Sequence, residues 1–144
     1  MKERDSRLVI IEIDEIKIAK YGTTEQCDPA IDFKQAGIQA RVGLDSGKNV
    51  VVVEPLCEQQ HIDFVLEGAG MSSDSADISA VWLHCSLATA ITRKGSLHKT
   101  SVIESQHRRY DSRVLLKNEV VIDTNTTSLA EVANRVFHFL STSH

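Results

Sequence analysis

The chain alternates short, continuous apolar runs with longer stretches in which apolar residues recur at helical spacing. Four runs stand out: Leu8-Val9-Ile10-Ile11-Glu12-Ile13 before Asp14, Val50 to Val53 before Glu54-Pro55, Ile78 to Leu83 before His84-Cys85, and Glu119 to Ile122 before Asp123-Thr124. Each is rich in β-branched residues and apolar at successive positions. That pattern predicts parallel strands covered by helices on both faces, although Glu12 interrupts the first. Between the runs, Pro29 to Leu44 places Ile31, Ala36, Ile38 and Val42 at helical intervals. Asp28 stands at the N-cap, Pro29 at the first helical position and Gly47 at the exit. Glu58 to Leu66 predicts a second helix with Ile62, Val65 and Leu66 inward, and Ser86 caps a third that runs to Arg93. Ser128, with Glu131 three residues on, opens a last helix striped by Leu129, Val132, Val136, Phe139 and Leu140. The expectation is an α/β fold, a mainly parallel sheet of about four strands with helices on both faces. Lys94 to Lys117, rich in Lys, Arg and His, is too long for an ordinary connection and predicts a lid-like insertion (94–117) in a single domain spanning 1–144.

Composition narrows the partners rather than the fold. The 144 residues are 42% hydrophobic and 25% charged, which excludes disordered and collagen-like classes. Sixteen Lys and Arg against 20 Asp and Glu leave a formal charge of −4, which argues against nucleic-acid binding through bulk charge. RNA binding by the basic 94–113 segment is weakened further, since Tyr110 is its one interleaved aromatic. Cys27, Cys57 and Cys85 form no CxxC motif, so reduced thiols and a cytoplasmic location are expected. The opening MKERDSR leads into an acid-interrupted apolar run and reads as neither a signal peptide nor a membrane span.

Several residues carry candidate chemistry. Asp14 follows the first strand, where open α/β sheets place ligands; it takes a proton from a substrate hydroxyl, or holds a metal, or merely caps the following helical turn. Glu54 ends the second strand in the same way. The two acids can share a Mg²⁺ through water, or Glu54 is a solvated loop acid. Lys34 and Arg41, seven apart on one helix face, can hold an anionic substrate group or simply face solvent. Arg93 and Lys94 open the basic stretch and can neutralise phosphates. His84 reads as a packed, hydrogen-bonded side chain, Trp82 as core, and neither HExxH nor GxSxG occurs. Gly43-Leu-Asp-Ser-Gly47-Lys48-Asn49 imitates a phosphate-binding loop. It is one residue short of GxxxxGK[ST], lacks the terminal hydroxyl, and closes a helix where a P-loop must open one, so it reads as a turn.

In order, these segments resemble the small-molecule P-loop kinases, the group of shikimate, gluconate and adenylylsulfate kinases and chloramphenicol phosphotransferase. The resemblance runs from about Leu8 to Leu140 through VIIEID, Phe33-Lys34, GLDSGKNVVVVEP, VWLHCSLATAITRK and IDTNTTSLAEVANRV. It implies ATP-dependent phosphoryl transfer with Mg²⁺ to a small hydroxylated substrate. It assigns Asp14 as general base, Lys34 as substrate anchor, Arg93 and Lys94 as lid cations over the phosphates, and Thr124 to the loop that contacts the nucleotide base. The 144 residues contain no GxxxxGK[ST]. In that family's strand order, 2-3-1-4-5, the strand preceding the P-loop is central. Its absence predicts either that the flanking strands pair, or that a gap invites self-association. The chain is therefore expected to be truncated or inactive in transfer, with a non-catalytic α/β ligand-binding or regulatory module as the alternative.

Overall fold

The computed structural model describes residues 7–54 and 58–142. The chain falls into two compact units, Met1–Ala76 and Asp77–His144. The first runs β1 (Leu8–Glu12), α1 (Ile13–Tyr21), α2 (Pro29–Asp45), β2 (Asn49–Val53) and α3 (Gln59–Gly68). The second runs β3 (Ser79–His84), α4 (Leu87–Lys94), α5 (Thr100–Asp111), β4 (Asn118–Asp123) and α6 (Leu129–Thr142).

The architecture is α/β with parallel strands, in two separate two-stranded sheets. β1 pairs with β2 from Leu8↔Asn49 to Glu12↔Val53. β3 pairs with β4 from Ser79↔Asn118 to His84↔Asp123.

In the first unit, register puts Val9, Ile11, Val50 and Val52 on one face of the sheet. There they meet Phe33, Ala36 and Ala40 of α2 to form the core with Ile13. The opposite face, expected to be covered as well, leaves Ile10 and Val53 exposed. α2 and α3 approach backbone to backbone, since a Cβ on Gly37 would collide with the Val65 carbonyl and one on Gly68 with the Lys34 carbonyl. Gly43 admits the sheet in the same way, where a Cβ would lie 2.9 Å from Val50 Cγ2. Gly47, at φ 69°, ends the turn that closes α2, its N–H donating to the Leu44 carbonyl at 2.9 Å. The Gly43–Asn49 segment is thus a helix-to-strand turn.

The first apolar run ends sooner than its composition suggests. Ile13 and Asp14 belong to α1, a helix the strand-like pattern concealed, so Asp14 lies in a helix's first turn rather than directly behind a strand. Asp28 is the N-cap residue of α2, but without a side-chain cap bond. Its own N–H donates instead to Asp32 Oδ2 at 2.8 Å.

In the second unit Ile103, Ile122 and Val132 are buried. Ser86 Oγ accepts from Thr89 N–H at 3.2 Å and Ser128 Oγ from Glu131 N–H at 3.2 Å, so both serine caps form as expected. The basic stretch holds a three-turn helix, α5, anchored by Ile103. Leu129 of the α6 stripe remains exposed while Val132 is buried.

Candidate functional site

Each unit has a polar edge where its parallel strands end. In the first, Asp14 Oδ1 accepts from Lys17 Nζ at 3.1 Å, one helical turn away on α1. Lys17 is buried. Burial works to lower its pKa, but the Asp14 bond and charge, followed by Glu54 and the Cys27 thiol, outweigh that and hold it above the ordinary lysine range. The Cys27 thiol is pushed up, by burial first and by the Asp32 and Glu54 carboxylates against the pull of Lys17. Asp14 thus bonds the Lys17 ammonium directly, while Glu54 reaches it only through its charge. The Lys17 ammonium takes up the Asp14 carboxylate that a shared Mg²⁺ would need. Among the described residues no group of three or more His, Cys, Asp or Glu side chains could hold a metal ion.

Beside this edge Asp32 is fully buried. Its Oδ1 accepts from Lys20 Nζ at 3.0 Å and Tyr21 Oη at 3.3 Å, and its Oδ2 from Asp28 N–H. Burial works to raise its pKa, but the Asp28 N–H and the Lys20 and Tyr21 partners hold it below the usual carboxylate range. This knot ties the end of α1 to the start of α2.

Lys34 and Arg41 lie on one face of α2 but do not converge on a site. Lys34 pairs with Glu67 of α3, and Arg41 NH2 with Asp45 Oδ1 at 2.8 Å on its own helix. Phe33, beside Lys34, is buried and stacks on His61 with ring centroids 4.2 Å apart.

The second unit brings two sequence candidates together. Arg93, near the end of α4, donates from NH1 to Thr124 Oγ1 at 3.0 Å and from NH2 to the Thr124 carbonyl at 2.7 Å. Thr124 donates in turn to the His84 carbonyl, from N–H at 2.8 Å and Oγ1 at 3.1 Å. Asn125 Oδ1 accepts the Ser86 N–H at 3.0 Å, and Asp123 Oδ1 accepts the Asn125 N–H at 2.8 Å. The exits of β3 and β4 are thereby sewn together across α4. Lys94, the neighbour of Arg93, is exposed and takes no part in this network.

Behind this edge α5 docks through its rings. His84 stacks on Tyr110 at 4.2 Å and 19°, and Arg113 covers Tyr110 at 4.2 Å and Trp82 at 5.3 Å. Trp82 is half-buried rather than core, its Nε1–H bonded to Glu119 Oε2 at 3.0 Å. His84 departs from the hydrogen-bonded side chain expected, because its buried Nε2 has no partner among the described residues.

The sequence reading missed Lys17, Asp32 and Asn125. Lys17 was legible in principle, since Asp14 and Lys17 are spaced i, i+3, but only once α1 was recognised as a helix. No protein-family model matches the chain, and neither the curated proteins nor the solved structures give a match. No helix among the described residues is long and apolar enough to cross a membrane.

Proposed function

We propose that the chain is a P-loop kinase-like α/β module that binds a nucleotide at the exits of β3 and β4 and, with these 144 residues, transfers no phosphoryl group. The observation that carries this reading is the Arg93–Thr124 pair. Two residues 31 apart, both assigned to nucleotide binding by the resemblance, lie in direct contact at the strand exits, where open parallel sheets bind ligands. The hydroxyl and amide groups of Thr124 and Asn125 offer base and ribose contacts, and Arg93 and Lys94 offer positive charge to the phosphates.

Transfer needs more. Catalysis of this class rests on a backbone cradle, its lysine and a metal that together neutralise developing charge. The chain contains no GxxxxGK[ST], and Asp14 is bonded to Lys17. In an intact relative Asp14 would accept the proton of a small hydroxylated substrate. Here its Oδ1 is engaged by the Lys17 ammonium.

The test is a titration of the labelled protein followed by amide chemical shifts, with adenosine, ADP and Mg-ATP. Shifts at Arg93, Thr124 and Asn125, with a Kd near about 1 mM and little change on adding Mg²⁺, are the expected result. Arg93→Ala should abolish them. Silence at this edge up to about 10 mM nucleotide sinks the nucleotide reading. The pairing of Lys34 and Arg41 with their own acids favours the other reading, a non-catalytic ligand-binding module, which predicts shifts at the same edge with uncharged metabolites alone.

A further inference from the structure

The outer face of α2 is used neither by the core nor by either polar edge. Ile31, Gln35, Ile38 and Val42 follow one another at intervals of four, three and four residues, the spacing of a coiled-coil seam. The three aliphatic members are 53%, 49% and 65% exposed. Such exposure on one stripe is costly in water unless something covers it.

The stripe borders a real depression. A cavity of about 360 Å³ lies between α1 and α2, walled by Ile16, Ala19 and Ile31 with Gln35 and Gln39 at its lip. A second, of about 160 Å³, shares Ile16, Ala19 and Gln39 and extends to Ile10 of β1, itself 53% exposed. Together they make one groove, apolar along its floor. Its charges are unevenly matched. Lys20 is held by Asp32, whereas Glu12 and Glu15, which line the far end, carry no ion pair among the described residues. The seam is thus apolar with one amide in the middle, and the cavity beside it carries Glu12 and Glu15 with no ion pair among the described residues.

We propose that the groove between α1 and α2, continued by Ile38 and Val42, docks an amphipathic helix of a partner protein that carries aliphatic residues on one face and Lys or Arg at the end meeting Glu12 and Glu15. Heptad spacing fits a helix, because knobs at that interval pack along a second helix and not along an extended strand. Gln35 in the seam fixes register, as a lone polar seam residue does in coiled coils. The acidic end sets polarity, since a basic terminus gains charge complementarity there and an acidic one is repelled. A second copy of α2 matches less well, because the one cation at its seam's end, Arg41, is already held by Asp45.

The test uses synthetic helical peptides of about 18 residues, roughly 27 Å long, with Leu at the seam positions. One carries Lys at one end, a second Glu there, and a third has the composition of the first in scrambled order. Fluorescence anisotropy should give a micromolar Kd for the Lys-ended peptide and binding about tenfold or more weaker for the Glu-ended one. Ile38→Ser and Val42→Ser, both at exposed positions, should each weaken binding severalfold without moving the thermal midpoint. Glu12→Gln with Glu15→Gln should erase the preference between the two ends while leaving an apolar residue of affinity. Amide shifts should map to Ile10, Ile31, Ile38 and Val42. Equal binding of the scrambled peptide, or shifts that map elsewhere, overturns the proposal. Sedimentation that shows a dimer dissociated by Ile38→Ser also overturns it, by assigning the groove to a second copy.

Discussion

At the residue scale the strongest statement concerns Asp32, a fully buried carboxylate that accepts three donors. Its folded pKa lies below the ordinary value of about 3.9, so its contribution to stability is complete above that pH and is lost as pH falls through the lower, folded value. Acid unfolding followed by circular dichroism should therefore flatten below about pH 4 in Asp32→Asn, because the titrating group is gone. At neutral pH the same variant should lose about 1–3 kcal/mol, since the amide cannot accept all three bonds and leaves a buried partner unmet. Lys17 shows the complementary lesson. A lysine that composition would assign to solvent is buried because Asp14 and Glu54 compensate its charge.

At the scale of elements, two contacts decide what the helices do. α2 and α3 touch through backbone at Gly37 and Gly68, where a methyl group has no room. Gly37→Ala should cost about 1–3 kcal/mol and lower the unfolding midpoint by some 4 °C or more, whereas Lys48→Ala, at an exposed turn position, should stay within about 0.5 kcal/mol. α5 is held by Tyr110, which stacks on His84 and is covered by Arg113, and by the buried Ile103. Tyr110→Ala should raise hydrogen exchange across 100–111 while leaving α2 unchanged, and Tyr110→Phe should retain protection because the stack uses the ring and not the hydroxyl. These contacts also explain what was legible beforehand. β2, β3, β4, α2 and the serine-capped helices follow from local signals, a β-branched run or an apolar stripe with a cap. α1 and α5 do not, because Ile13–Tyr21 opens inside a strand-like run and α5 buries Ile103 alone.

At the scale of the whole chain, each parallel pair has edges that no further strand covers among the described residues, and incompletely covered apolar residues such as Ile10, Val53 and Leu83. Two-stranded sheets are marginal, and parallel ones ordinarily lie between covering layers. Self-association through these edges is the expected consequence. Sedimentation velocity should show mass rising with concentration, and Val53→Lys on β2 should suppress it, as edge lysines do. A concentration-independent monomer would remove self-association as the fate of the open edges. This edge effect is separable from helix docking on α2, which Ile38→Ser addresses and Val53→Lys does not.

The sequence by itself determined the α/β class, the parallel direction of the strands, most helix boundaries and the exclusion of Gly43–Asn49 as a phosphate loop. Those features depend on residues close together in the chain: β-branched runs, caps and a glycine past a helix end. It also singled out Arg93 and Thr124, though not that they touch. Tertiary structure alone decided that the strands form two pairs, that Asp14 bonds a buried Lys17, that Asp32 is buried, and that Lys34 and Arg41 are paired with neighbours. Each of these turns on which distant groups share a low-dielectric environment or compete for the same backbone edge. Local propensity carries no term for either, so only the folded arrangement could settle them.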